Sequence, residues 1–115
     1  MLGGCGPAPA PLAPYPDASA LPGADVERGR QWVAQAGCAA CHSVPGVRSA
    51  RAQVGPPLHD LHRRVYLGGV LPNTPENLVR WLADPRAHDA ATAMPAVGLT
   101  PQQARDIAAY LLAQP

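Results

Sequence analysis

A chain of 115 residues that is 47% hydrophobic is long enough for one domain with one modest core. Its nine basic residues, all arginine, are interspersed with eight acids for a formal charge of +1, which excludes the basic stripe that nucleic-acid binding requires. With no Phe, two Trp and three Tyr, the aromatic content is thin for such a core, so a large apolar cofactor is expected to supply part of it.

Residues 1–23, MLGGCGPAPAPLAPYPDASALPG, hold six of the fifteen prolines and show neither helical nor strand periodicity. They read as a flexible tether. Polyproline II chain rises about 3.1 Å per residue, so twenty such residues reach up to roughly 60 Å. Leu2-Gly3-Gly4-Cys5 resembles the end of a bacterial lipoprotein signal, which makes Cys5 the expected lipid-attachment residue. No stretch approaches the roughly 18 consecutive apolar residues of a membrane span. The expectation is an exported protein, periplasmic or on the outer face of the bacterial inner membrane, whose leader lies upstream of Met1.

From Asp25 the pattern turns helical. Asp25 is an N-cap, Val26, Val33 and Ala36 recur at helical spacing, and Gly37 is a stop, predicting a helix over 26–36. Thr74 followed by Pro75 opens a second, short helix through LVRWLAD, stopped by Pro85. Thr100-Pro101-Gln102-Gln103 is a capping box, and Ala104, Ile107, Ala108, Leu111 and Leu112 follow it as a helical stripe. No β-hairpin signal competes, and residues 43–73 and 84–99 read as loops with a helical turn at 58–64. Loops this long need something to wrap around. The fold class is all-α, with three main helices plus short turns.

Cys38-Ala39-Ala40-Cys41-His42 carries the chemistry. A CxxC disulfide oxidoreductase normally sits in a βαβ pattern, which is missing here. Structural zinc needs four ligands, and a fourth would have to come from Cys5 or from the isolated His59, His62 or His88. Covalent haem explains the spacing directly: thiols at i and i+3 reach two vinyl groups of one porphyrin, and the next residue turns its imidazole to the iron. Met94, in the loop segment AMPAVG, is the single methionine besides Met1 and the candidate second axial ligand. A thioether favours ferrous iron, raises the potential and closes the sixth position. His59, His62 and His88 could replace it but read as surface histidines.

On CAACH, Met94 and Gly55-Pro56-Pro57-Leu58-His59-Asp60-Leu61, the stretch from about residue 25 to 114 resembles a class I c-type cytochrome, a His/Met-ligated monohaem protein. The resemblance implies that the Pro56 carbonyl accepts a hydrogen bond from His42 and that Leu58 presses on the haem face. It implies further that Arg64 and Thr92 approach haem propionates and that Trp81 lies beside Met94. Gly29 and Tyr110 are similar to the family's crossing point of first and last helices, although Val33 stands where the family usually has an aromatic, with Trp32 just before it. LPNTPENLVRWLADPRAHDAATAMPAVGLT is similar to cytochrome c domains associated with haem-copper oxidases.

These observations imply a cytochrome c domain over 24–115 holding one haem c through Cys38 and Cys41. Such a domain is an electron carrier between respiratory redox partners and not an enzyme, a monomer tethered to the membrane through its N-terminus. Expected partners are membrane complexes such as a terminal oxidase or a quinol- or substrate-oxidising complex. The chain lacks lysine, so docking is expected through an apolar patch around the haem edge. Two alternatives are a haem-based sensor or peroxidase-like domain with an open sixth site, and an electron-entry subunit of a dehydrogenase complex.

Overall fold

The structure is a computed structural model that describes residues 20–48 and 55–114. Cys5 and residues 1–19 of the expected tether lie outside the described residues. Helix α1, Val26–Gln35, begins where the Asp25 carboxylate accepts the Arg28 N–H at 2.8 Å. Val26, placed on the apolar face by its spacing, is 38% exposed, and the buried positions of α1 are Gly29 and Val33. Helix α2, Pro75–Ala83, is capped by Thr74 accepting from the Asn77 N–H at 3.1 Å. Pro85 does more than stop it. Fixed at a helical φ and lacking an N–H, Pro85 also opens a one-turn helix α3, Pro85–His88, inside a segment expected to be loop.

Helix α4, Pro101–Ala113, has the capping box in full: Thr100 Oγ1 accepts from the Gln103 N–H, and the Gln103 side chain accepts from the Thr100 N–H at 2.9 Å. The predicted stripe is buried, and Asp106, Ala109 and Tyr110 are buried with it. The wider apolar surface arises because α4 packs against α1 and α2 together.

Residues 43–73 are not simply loop. A 3₁₀ turn covers Leu61–Arg63, and strands β1, Tyr66–Leu67, and β2, Leu71–Pro72, pair antiparallel. Gly68 and Gly69, at φ +56° and +76°, occupy the left-handed region that lets the chain reverse there, and the Val70 N–H closes the turn on the Leu67 carbonyl at 3.0 Å. Packing also begins upstream of Ala24. Leu21 is buried in the core, and the Gly23 and Pro22 carbonyls accept from Gln102 and Arg105 of α4.

The α1–α4 crossing is the tightest point. A Cβ on Gly29 would stand 2.6 Å from the Asp106 carbonyl carbon and 2.8 Å from Tyr110 Cβ. It is therefore the Asp106 backbone, more than an aromatic ring, that lies in the space a side chain would fill. The Tyr110 hydroxyl instead donates to the Pro45 carbonyl, tying α4 to the segment after His42.

Asp106 is fully buried and collects four partners. It accepts from the Asp25 N–H at 2.9 Å, Arg28 Nε at 3.0 Å, Trp32 Nε1 at 3.3 Å and Gln102 Nε2 at 2.8 Å. Burial favours the neutral acid. The bonds from Arg28, the Asp25 N–H and Gln102, with the Arg28 charge, outweigh it and hold the carboxyl below its usual value.

Candidate functional site

Gly37, at φ +81°, ends α1, and the chain winds at once into a 3₁₀ turn over Cys38–Ala40. The Cys38 carbonyl accepts from both the Cys41 N–H (3.2 Å) and the His42 N–H (2.9 Å). This tight winding brings both thiols and the imidazole to the wall of one cavity of ≈ 380 Å³. Cys38 and Cys41 are free thiols, and burial pushes the Cys38 thiol up. Among the described residues no cluster of three His, Cys, Asp or Glu side chains is arranged to hold a metal ion.

Segment 55–58 lies along the back of His42. The Gly55 N–H donates to the Cys41 carbonyl at 2.7 Å, and the Leu58 N–H to the Ser43 carbonyl at 2.8 Å. Between these two pins the Pro56 carbonyl is 2.7 Å from His42 Nδ1. A carbonyl only accepts, so Nδ1 carries the proton and Nε2 keeps a free lone pair. Gly55 touches the ring so closely that a Cβ there would stand 2.5 Å from Nδ1 and 2.8 Å from Nε2. The family resemblance implies no role for this glycine, and its closeness to the ring is visible only in the fold.

Met94 reaches the same cavity from a loop built by successive turns. Asp89 accepts from the Ala91 and Thr92 N–H groups, and Thr92 Oγ1 accepts from the Met94 N–H at 3.2 Å. The Thr92 hydroxyl thus spends a lone pair on positioning Met94 and keeps its own proton to donate.

Leu58, Arg64, Trp81 and Thr92 also line the cavity, so all nine residues expected at a cofactor line one site. His59, His62 and His88 do not line it. Arg64 is the single Lys or Arg among the described lining residues, and its guanidinium donates to the Pro57 carbonyl. Val33, Leu61, Leu78, Leu82 and Leu111 supply buried apolar wall, whereas Tyr66, Pro95 and Val97 are exposed residues of the lining.

The chemistry of this donor set fits a covalently held haem. An apolar slot sits in a core without Phe, two thiols stand three residues apart, and an oriented imidazole and a thioether face the same space. Asn73 and Asp106 escaped the sequence reading. Each is a lone polar residue, and no local pattern distinguishes it from a solvated one.

The family model for cytochrome c matches residues 26–115. Among curated proteins, cytochrome c oxidase subunit 2 of Alkalihalophilus pseudofirmus is 35% identical over 69 residues, which is 60% of this chain and 19% of that protein. The chain therefore spans about a fifth of that relative's length. Among solved structures, cytochrome c2 of Rhodobacter capsulatus superposes with a TM-score of 0.59 at 24% identity, covering 77% of this chain and 97% of that one. Cytochrome c2 of Rhodobacter sphaeroides gives 0.56 at 20% identity, covering 80% and 98%. At these identities the two structures establish the likeness of fold. With the family match spanning nearly all of the packed chain, the protein belongs to the cytochrome c family, whose cofactor is covalently bound haem c.

Proposed function

We propose that this protein is a monohaem class I cytochrome that carries single electrons between membrane-associated respiratory partners. The observation that carries the reading is the convergence of Cys38, Cys41, His42 and Met94 on one apolar cavity. Haem c, when bound, supplies an iron that holds or releases one electron. Cys38 and Cys41 would anchor it through their sulfurs, and His42 Nε2 and the Met94 sulfur would hold the iron. The Pro56 carbonyl holds the imidazole in its tautomer and makes it a better donor. Leu58 would pack against the haem, with Trp81 in the same wall as Met94. Arg64 and Thr92, which line the cavity, would offer their remaining N–H and O–H donors to the propionates. With His42 and Met94 both holding the iron, no site would be left for dioxygen chemistry, which supports the reading as a carrier and not an enzyme.

The match to a cytochrome c oxidase subunit 2 supports a terminal oxidase as acceptor, with a quinol- or substrate-oxidising complex as donor. Exposed Tyr66 and Val97, both in the cavity lining, offer an apolar docking edge. The Pro-rich segment 1–23 tethers the 24–115 domain, with Leu21 as the point where the tether is seated, and Cys5 bears the lipid. The protein works as a monomer at the periplasmic face of the membrane.

The test is spectroscopic. Haem-loaded protein is read oxidised, reduced, and reduced with carbon monoxide, beside Met94→Ala. A low-spin wild type that ignores carbon monoxide, with a variant that binds it, supports the carrier. Ready binding by the wild type would instead favour a sensor or peroxidase-like domain with an open sixth site.

A further inference from the structure

We propose that Asn73 is a positioning residue for the axial histidine, acting through Arg64 and the Pro56-Pro57 turn. The inference rests on the reading of His42 as an iron ligand. Asn73 lies between β2 and α2, is 8% exposed, and does not line the cavity. Its Nδ2 donates to the Leu61 carbonyl at 2.9 Å and to the Arg64 carbonyl at 2.8 Å. Its backbone N–H donates to the Val65 carbonyl at 2.8 Å. One buried amide thus holds both ends of the 3₁₀ turn that delivers Arg64.

Arg64 passes this constraint on. Its guanidinium donates to the Pro57 carbonyl, next in the chain to the Pro56 carbonyl that receives His42 Nδ1. Both residues are prolines, with φ confined near −65° and no N–H, so ψ of Pro57 is the one soft torsion between the two carbonyls and a displacement of one is largely passed to the other. The Gly55 and Leu58 N–H bonds pin that pair at its ends, leaving its middle to be fixed by His42 on one side and Arg64 on the other. Asn73 Oδ1 is buried with no hydrogen-bond partner. Such an atom is costly to bury, and an aliphatic side chain would avoid the cost. What an aliphatic side chain could not supply is the pair of donors that hold Leu61 and Arg64. Asn73 is also neutral, so its removal tests positioning without a change of charge.

The experiment uses haem-loaded wild type, Asn73→Ala, Arg64→Leu and the double variant. In the ferrous state, NMR gives the exchange rate of the His42 Nδ1 proton, divided by that of the buried Ala108 amide, which reports global opening. Asn73→Ala is expected to raise this ratio about tenfold, as for the loss of roughly one net hydrogen bond. The reduction potential is expected to rise, because a weaker bond at Nδ1 makes the imidazole a poorer donor to ferric iron. In the Arg64→Leu background Asn73→Ala is expected to add nothing. An unchanged ratio, or an additive effect in that background, overturns the proposal. If Asn73→Ala fails to load haem, Asn73→Ser, which keeps one donor, is expected to shift the ratio in the same direction by less, and no shift overturns the proposal equally. A wild type that binds carbon monoxide overturns the ligand reading and this proposal together, whereas a low-spin wild type with an unmoved ratio overturns this proposal alone.

Discussion

Replacing Asp106 by Asn tests the junction of the first and last helices without changing side-chain shape. The carboxylate accepts from donors on four residues, and an amide offers one acceptor oxygen and turns an NH₂ toward the rest. Arg28 is half-exposed and Gln102 exposed, so both can turn to water. The Asp25 N–H and Trp32 Nε1 are less free to do so, and each unsatisfied buried donor costs about 1–3 kcal/mol. The expected loss is about 3 kcal/mol at pH 7, a large share of the roughly 5–15 kcal/mol by which domains are stable. For a domain of this size that lowers Tm by about 15 °C.

The pH dependence follows from the direction of the shift. Because the folded-state pKa of Asp106 is lowered, its contribution is fully present above the unfolded value, near 4, and is lost as pH falls through the folded value. The stability gap between wild type and Asp106→Asn should therefore be widest at neutral pH and should narrow below about pH 4. Urea unfolding of the haem-loaded proteins at pH 7, 5 and 3 measures it. A gap under about 0.5 kcal/mol at pH 7, the size of an ordinary surface substitution, would refute the reasoning, as would one that does not shrink at pH 3.

Gly55→Ala places a Cβ against the His42 ring, so the imidazole or segment 55–58 must shift; the expected result is loss of the low-spin spectrum or of haem loading, and an unaltered spectrum would show that the contact is not needed. Gly29→Ala gains about 1 kcal/mol of helix propensity but meets the Asp106 carbonyl carbon and Tyr110 Cβ, overlap that costs more than the typical 1–3 kcal/mol of overpacking because backbone must move. Net destabilisation of about 2 kcal/mol in urea is expected, and a neutral or stabilised variant would contradict the close crossing. A chain with no lysine and a formal charge of +1 should be steered weakly, so reduction of the protein by its partner should fall only modestly from low to physiological salt; a steep fall would point to charged docking instead.

Which features could be read from the sequence follows from how far apart the interacting residues lie. Asp25, Thr74 and Thr100 were legible as caps because each bonds an N–H three residues on, within reach of a local rule. The hairpin was not, although Gly68-Gly69 signals a turn, because two-residue strands carry no alternation to read. Asp106 shows the opposite limit. On α4 it falls off the apolar stripe and reads as a solvated acid, yet its partners Asp25, Arg28 and Trp32 stand 74 to 81 residues away and draw it into the core. The cavity draws on both ranges. Cys38, Cys41 and His42 are joined by one turn and announce themselves by residue type. The bond that orients His42 comes instead from Pro56, fourteen residues on, and the clamp on the Pro56-Pro57 turn comes from Arg64 and, behind it, Asn73. A motif can therefore name the residues offered to a haem, while the tautomer and tilt of the imidazole depend on nonlocal bonds. On the proposed ligation, variation outside CAACH and Met94 is accordingly where relatives with identical ligands can come to differ in potential.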